Sequence, residues 1–118
     1  MYFWDTYAIL EFINGNPAYL KFNNYPFVLT IFNLAEVYYF SIKEYEHAKA
    51  NAIYDECEKG VLQISDDILK QAMHFRRSFK RNISYTDAIG YITAKGHNLI
   101  FLTGDKEFEH LENVEFVK

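Results

Sequence analysis

Cysteine is almost absent from this chain. Cys57 stands alone, so no internal disulfide can form, and a reducing compartment is the expectation. Long apolar runs are absent too: Glu11, Glu36 and Lys43 interrupt the candidates before they reach the roughly 18 residues a membrane span needs. Met1 runs straight into "YFWD", with no basic start and no small-residue cleavage site, so no secretory leader is expected. These absences predict a soluble, cytoplasmic protein with no membrane association. Positive charge is also scarce, with 12 Lys and Arg against 16 Asp and Glu and a formal net charge of -4. Phosphate binding is dominated by Lys and Arg, so a general nucleic-acid coat is excluded while a local basic track is not. Repeats, low-complexity segments and linkers are missing as well.

What is present is a core. Of the 118 residues, 50% are apolar and 19% aromatic, which excludes disorder and predicts one domain spanning residues 1–118. Five short strand-like runs, Tyr2–Trp4, Phe27–Thr30, Val61–Ile64, Leu99–Thr103 and Val114–Val117, alternate with helical stretches. That alternation predicts βαβ units and a mostly parallel sheet. Asn14-Gly15-Asn16-Pro17 breaks the first helix, Gly60 closes a long segment that starts near Phe32, and Gly96 ends a helix that starts near Ser84. Over Asp67–Arg81, Ile68, Ala72, Phe75 and Phe79 repeat with a helical period and predict a core stripe.

In open α/β sheets, sites form beyond the carboxyl ends of the strands. Asp5 follows "YFW" and Asp105 follows "IFLTG", so each leaves a strand where a helix begins. Asp87 lies in the first turn of the helix in "SYTDAIGYITA", and Glu36 lies in the apolar stretch "TIFNLAEVYYF". Each has a structural explanation alone: Asp5 and Asp105 as N-caps, Ser84 and Asp87 as a capping box. Glu36 is harder to explain, because a carboxylate buried among Leu34, Val37 and Tyr38 without a partner is costly. Together the four suggest a shared site, since clustered carboxylates repel unless a cation neutralises them. Oxygen ligands suit a hard divalent ion, Mg²⁺ or Mn²⁺, and the scattered His47, His74, His97 and His110 offer no competing site.

The motifs "FWDTYAI", "LAEVYY", "SYTDAIGYITAKG" and "IFLTGDKEF", in that order, resemble those of PIN-domain ribonucleases, most closely the VapC-like toxins of toxin–antitoxin pairs. The resemblance spans almost the whole chain. It implies a Rossmann-like three-layer α/β sandwich, here with a mostly parallel five-stranded sheet, and a metal-dependent endoribonuclease acting on RNA. By motif match, Asp5, Glu36, Asp87 and Asp105 correspond to the family's catalytic, metal-ligating acidic quartet. Thr6 and Thr103 match its supporting hydroxyl positions, and Glu107 is an additional acid. Tyr7, Phe3 and Trp4 are bulkier than the pattern leads one to expect.

RNA needs a cationic approach. Arg76, Arg77, Lys80 and Arg81, with Lys70, concentrate the basic residues just before Asp87, and their alternative role is an ordinary solvated face. The aromatic residues Tyr38, Tyr39, Phe40, Tyr45 and Tyr54 exceed what one side of a helix buries, which suggests an interface. Similar toxins form homodimers and are silenced by a small antitoxin protein, so the resemblance implies both partners. The competing expectations are a catalytically inactive PIN-like module that binds RNA or protein, a receiver-like signalling domain, and a binding module built on the aromatic surface.

Overall fold

Alternation along two short strands builds the layers. In the computed structural model, which describes residues 1–118, Tyr2–Trp4 forms β1 and Ile100–Thr103 forms β2. They pair in parallel, with Phe3 opposite Phe101 and Trp4 opposite Leu102. Successive side chains of a strand point to opposite faces. Phe3 and Phe101 therefore enter one core while Trp4 and Leu102 enter the other, and all four are fully buried. β3 (Val114–Phe116) pairs in parallel with the other edge of β2.

The helices divide to match. On the Trp4 side, α1 (Thr6–Ile13) contributes Ala8 and Ile9, α2 (Ile31–Glu44) Leu34 and Val37, and α3 (His47–Glu58) Cys57. On the Phe3 side, α4 (Asp66–Ser78) contributes Ala72, and α5 (Tyr85–Gly96) contributes Ala88, Ile89 and Ala94. The result is a three-layer α/β sandwich around a parallel sheet. The bulk of Phe3 and Trp4 is what fills it. Trp4 makes edge-to-face contacts with Phe12, Phe22 and Phe27 at centroid distances of 5.6, 6.3 and 4.8 Å, each adding about 0.5–1.5 kcal/mol beyond burial. On the opposite face, a Cβ at Gly90 would lie 3.0 Å from the Phe3 ring, so a side chain there would hold α5 off the sheet.

The sheet has three strands where five were expected. The two missing runs do lie alongside: the Trp4 N–H donates to Val28 O at 2.8 Å, and Leu29 forms an isolated parallel bridge with Val61. Neither continues as a ladder, because the backbone donors at their ends go elsewhere. The Thr30 N–H donates to Asn33 Oδ1 at 3.0 Å within the cap of α2, and the Val61 N–H donates back to Glu58 O at 3.2 Å. A backbone donor satisfied by a cap is lost to the sheet.

Two helix boundaries also differ from expectation. The segment from Phe32 to Gly60 is two helices, broken at Tyr45, which is extended (φ -127°, ψ 164°) and whose N–H donates to Ser41 O. The Tyr45 hydroxyl bonds Asn14, and Lys49 sits 4.0 Å from the ring centroid. Further on, α4 stops at Ser78, so Lys80 and Arg81 lie in the connector to α5. The expected stripe survives this: Ala72 is buried, and Phe75 and Phe79 pack against its core cluster. No helix is long and apolar enough to cross a membrane.

Candidate functional site

Parallel pairing brings the carboxyl ends of β1 and β2 to one edge of the sheet, and an aspartate leaves each. Asp5 is the N-cap of α1, its Oδ1 accepting the Thr6 N–H at 2.9 Å. Its Oδ2 accepts the Thr103 hydroxyl at 2.7 Å, and Asp5 is only 3% exposed. The same Thr103 oxygen accepts the Asp105 N–H at 3.0 Å. Asp105 in turn caps a 3₁₀ turn, Lys106–Phe108, through the Glu107 N–H at 2.9 Å. Between them, Gly104 permits the close approach: a Cβ there would fall 2.2 Å from the Tyr7 ring and 2.6 Å from Val117 O. Tyr7 is thus packed against the Asp105 loop, which accounts for its bulk beside Asp5.

Asp87 reaches the site from the other layer. It is the third residue of α5, its Oδ2 accepting the Ser84 N–H at 3.1 Å while its own N–H donates to Ser84 Oγ at 3.0 Å. The capping roles expected of Asp5, Asp87 and Asp105 are therefore all present, and they coexist with clustering. The acidity of Asp5 records it. Burial first, and the Asp87 carboxylate second, push its pKa up to about 8, with Asp105 adding and the bonds from Thr103 and Thr6 opposing. Asp87 is raised too, by its own burial and, more weakly, by Asp105. The ion pairs of the molecule, Lys59–Glu56, Lys95–Glu112 and His110–Glu109, all lie elsewhere, so no Lys, Arg or His side chain pairs with these acids.

Glu36 corrects an expectation. It is exposed, because α2 turns Asn33, Leu34, Val37 and Ser41 inward and Ala35 and Glu36 outward. The reasoning from a buried carboxylate fails at this position. A hydrogen bond ties it to the site instead: the Thr6 hydroxyl, one residue beyond Asp5, donates to Glu36 Oε1 at 2.6 Å. Thr103 likewise donates its hydroxyl to a carboxylate, that of Asp5. Glu107 is half-buried and is engaged through its backbone N–H.

The basic residues separate into two groups. Arg81 Nη1 reaches Lys106 O at 3.4 Å, beside the Asp105 loop. Arg76 donates through Nε to Ile83 O at 3.1 Å, and its guanidinium lies 4.4 Å from the centroid of Tyr85, two residues before Asp87. Lys80 is exposed in the connector. Arg77, by contrast, lines a separate cavity of about 350 Å³ with Leu69, Lys70, Met73 and His74. Between the starts of α2 and α4, an apolar groove of about 420 Å³ is lined by Ile31, Phe32, Leu62, Ile64 and Leu69 among others.

The sequence profile of a family described as the PIN domain matches residues 2–114. The chain belongs to the PIN domain family. A solved toxin–antitoxin complex from Klebsiella pneumoniae is similar to this PIN domain with a TM-score of 0.81, at 20% identity, over 98% of this chain and 96% of that one. At that identity the likeness shows the fold. No curated protein matches significantly.

The chemistry of the donor set in this PIN domain fits a hard divalent cation. Every side chain is an oxygen donor, Asp87 and Asp105 add to the burial that raises the pKa of Asp5, and no protein cation offsets them. The acids are held apart, however: no three acidic, His or Cys side chains close on a single point. Asp87 is retained by its cap and Glu36 by Thr6, so each would turn inward to share an ion with Asp5. One contributor carried no role in the sequence. Asn33, fully buried, links the cap of α2 to Thr6. Its signal was available in the spacing Thr30-x-x-Asn33, which has the form of a capping box.

Proposed function

We propose that this PIN domain is a Mg²⁺- or Mn²⁺-dependent endoribonuclease, and that it is the toxin of a toxin–antitoxin pair. The observation that carries the reading is an aspartate at a strand exit, Asp5, held between the Thr6 N–H and the Thr103 hydroxyl, whose acidity is suppressed first by burial and then by Asp87 and Asp105, with no protein cation near enough to pair. Such a site is at rest when protonated and ready to ionise when a cation is supplied.

Asp5, Asp87, Asp105 and Glu36 would hold the ion. When bound, it supplies charge neutralisation and a more acidic water for in-line attack on phosphorus. The remaining work falls to the chain itself. Thr103 holds Asp5 and the Asp105 backbone at once, fixing the spacing of the two strand exits. The Ser84 cap directs one oxygen of Asp87 at its own backbone and leaves the other free. Arg81, Lys80 and Arg76 flank the acidic edge where phosphates would approach. Tyr85, 62% exposed with Arg76 behind its ring, offers a face on which an unpaired base can stack.

The partner assignment draws on the solved neighbour, which is a toxin–antitoxin complex. The apolar groove beside Ile31 and Phe32 suits a small antitoxin segment, and Tyr39 and Ile42 on the outer face of α2 suit a second copy of the chain. The separation of the carboxylates favours a second reading, a PIN module that binds RNA or protein without cutting it. One experiment decides between them. Purified protein should cleave single-stranded RNA in Mn²⁺, should stop in EDTA, and should lose the activity on Asp5→Asn; unchanged cleavage in that variant sinks the nuclease assignment.

A further inference from the structure

We propose that Asn33 is a positioning residue: its buried side-chain amide fixes the direction of the Thr6 hydroxyl proton and thereby holds Glu36 against the strand exit where Asp5 lies. The proposal rests on the reading of Glu36 as a ligating carboxylate for its consequence in catalysis, but not for its geometry.

The direction of every bond in this network follows from one donor that cannot accept. The Thr30 backbone N–H faces an Asn33 side-chain atom at 3.0 Å, and only Oδ1 can receive it. The Thr30 hydroxyl donates to the same Oδ1 at 2.8 Å, so both lone pairs of that oxygen are used. The amide nitrogen must then point the other way, and it does, donating to Thr6 Oγ1 at 3.0 Å. A hydroxyl has a single proton. Thr6, already receiving from Asn33, aims its proton at Glu36 Oε1 across 2.6 Å.

Capping alone does not call for asparagine here. Glu or Gln is usual at the third position of a helix with a capping box, and the helix dipole favours a carboxylate there. Asp would serve Thr30 equally well. What Asp lacks is the amide donor, and that is the atom reaching Thr6. The cost of burying a full amide is offset because the carbonyl oxygen receives two donors and Nδ2 finds an acceptor. Glu36, by contrast, is exposed, and an exposed glutamate is free to visit many rotamers. A donor locked in one direction by a buried neighbour selects among them.

The test is Asn33→Asp, which keeps the size and the cap but turns the donor into an acceptor. The Thr6 proton should then be drawn to the new carboxylate and Glu36 released. In the metal-free protein, three-bond NMR couplings about the Glu36 χ1 should report one rotamer in the parent and averaging in the variant. Thr6→Val, which removes the hydroxyl itself, should give the same averaging, and Thr6→Ser should restore the single rotamer. In RNA cleavage, kcat should fall about 10-fold or more in both Asn33→Asp and Thr6→Val with KM little changed, and the two losses should overlap rather than add. A single Glu36 rotamer persisting in Thr6→Val, or in a folded Asn33→Asp, overturns the proposal. If the parent protein cuts no RNA while the couplings change as described, the nuclease reading fails and the positioning role of Asn33 stands.

Discussion

Asp5 and Glu36 are assigned to one site and are held by opposite means. Asp5 is 3% exposed, fixed by two hydrogen bonds at the end of a core strand, and burial pushes its pKa up to about 8. Glu36 stands on the solvent side of a helix and is steered by one hydroxyl. The first is a carboxylate that burial and its acidic neighbours make reluctant to ionise. The second is exposed and contributes by where it is pointed. Substitution should therefore separate them: at Asp5, stability and activity move in opposite directions, whereas at Glu36 only activity moves.

The largest effect is expected from Asp5→Asn. Asparagine keeps an oxygen for the Thr6 N–H and removes the charge. RNA cleavage should fall on the order of a thousandfold, measured as kcat with Mn²⁺ saturating. Stability should do the reverse. An acid whose pKa is higher in the folded than in the unfolded chain favours folding in its protonated form. Its contribution is intact below about pH 4 and is lost as pH rises toward about 8, beyond which nothing more is lost from this group. Metal-free parent protein should accordingly weaken between those limits, by on the order of a few kcal/mol, in urea melts taken across the range. Asp5→Asn should lose the part of that dependence that belongs to Asp5, keep the part that Asp87 contributes, and exceed the parent at pH 8. Added Mn²⁺ should stabilise the parent more at pH 8 than at pH 5.

Glu36→Gln comes next. Cleavage should drop about 10- to 100-fold, yet the melting temperature should match the parent, since an exposed substitution typically changes stability by less than about 0.5 kcal/mol. A Glu36→Gln variant that melts far below the parent would break the contrast with Asp5, because it would mean that Glu36 carries structural weight the exposed position does not suggest.

That contrast also explains what could be read in advance. Asp5, Asp87 and Asp105 were legible because strand exits and helix starts are written locally, in "YFWD", "SYTD" and "LTGD". The layers were legible for the same reason: Phe3 and Trp4, or Phe101 and Leu102, alternate within a few residues. Glu36 was expected to be buried and is exposed, joined to Thr6 by a hydrogen bond that no local motif announces. Its apolar neighbours in sequence are spread around the helix, so only Leu34 and Val37 of the adjacent residues are buried. The runs at Phe27–Thr30 and Val61–Ile64 do lie alongside the sheet, but their short pairing was not legible because apolar content does not say where a backbone donor goes. Thr30 and Asn33 settle that with a cap. The division of the basic residues was hidden as well, because the helix ends at Ser78 and redirects Lys80 and Arg81.

The smallest expected effect tests the rim around both acids. Arg81 lies against the Lys106 carbonyl beside Asp105, whereas Arg77 faces a separate cavity with Lys70 and His74. If phosphates approach along the acidic edge, Arg81→Ala should raise KM for RNA a few-fold and lower the slope of log affinity against log salt by about 1, leaving kcat nearly unchanged. Arg77→Ala, equal in charge lost, should alter neither. Equal effects from the two would mean that RNA is held by net charge alone, and the flank beside Asp105 would then have no special part in guiding the strand past Asp5 and Glu36.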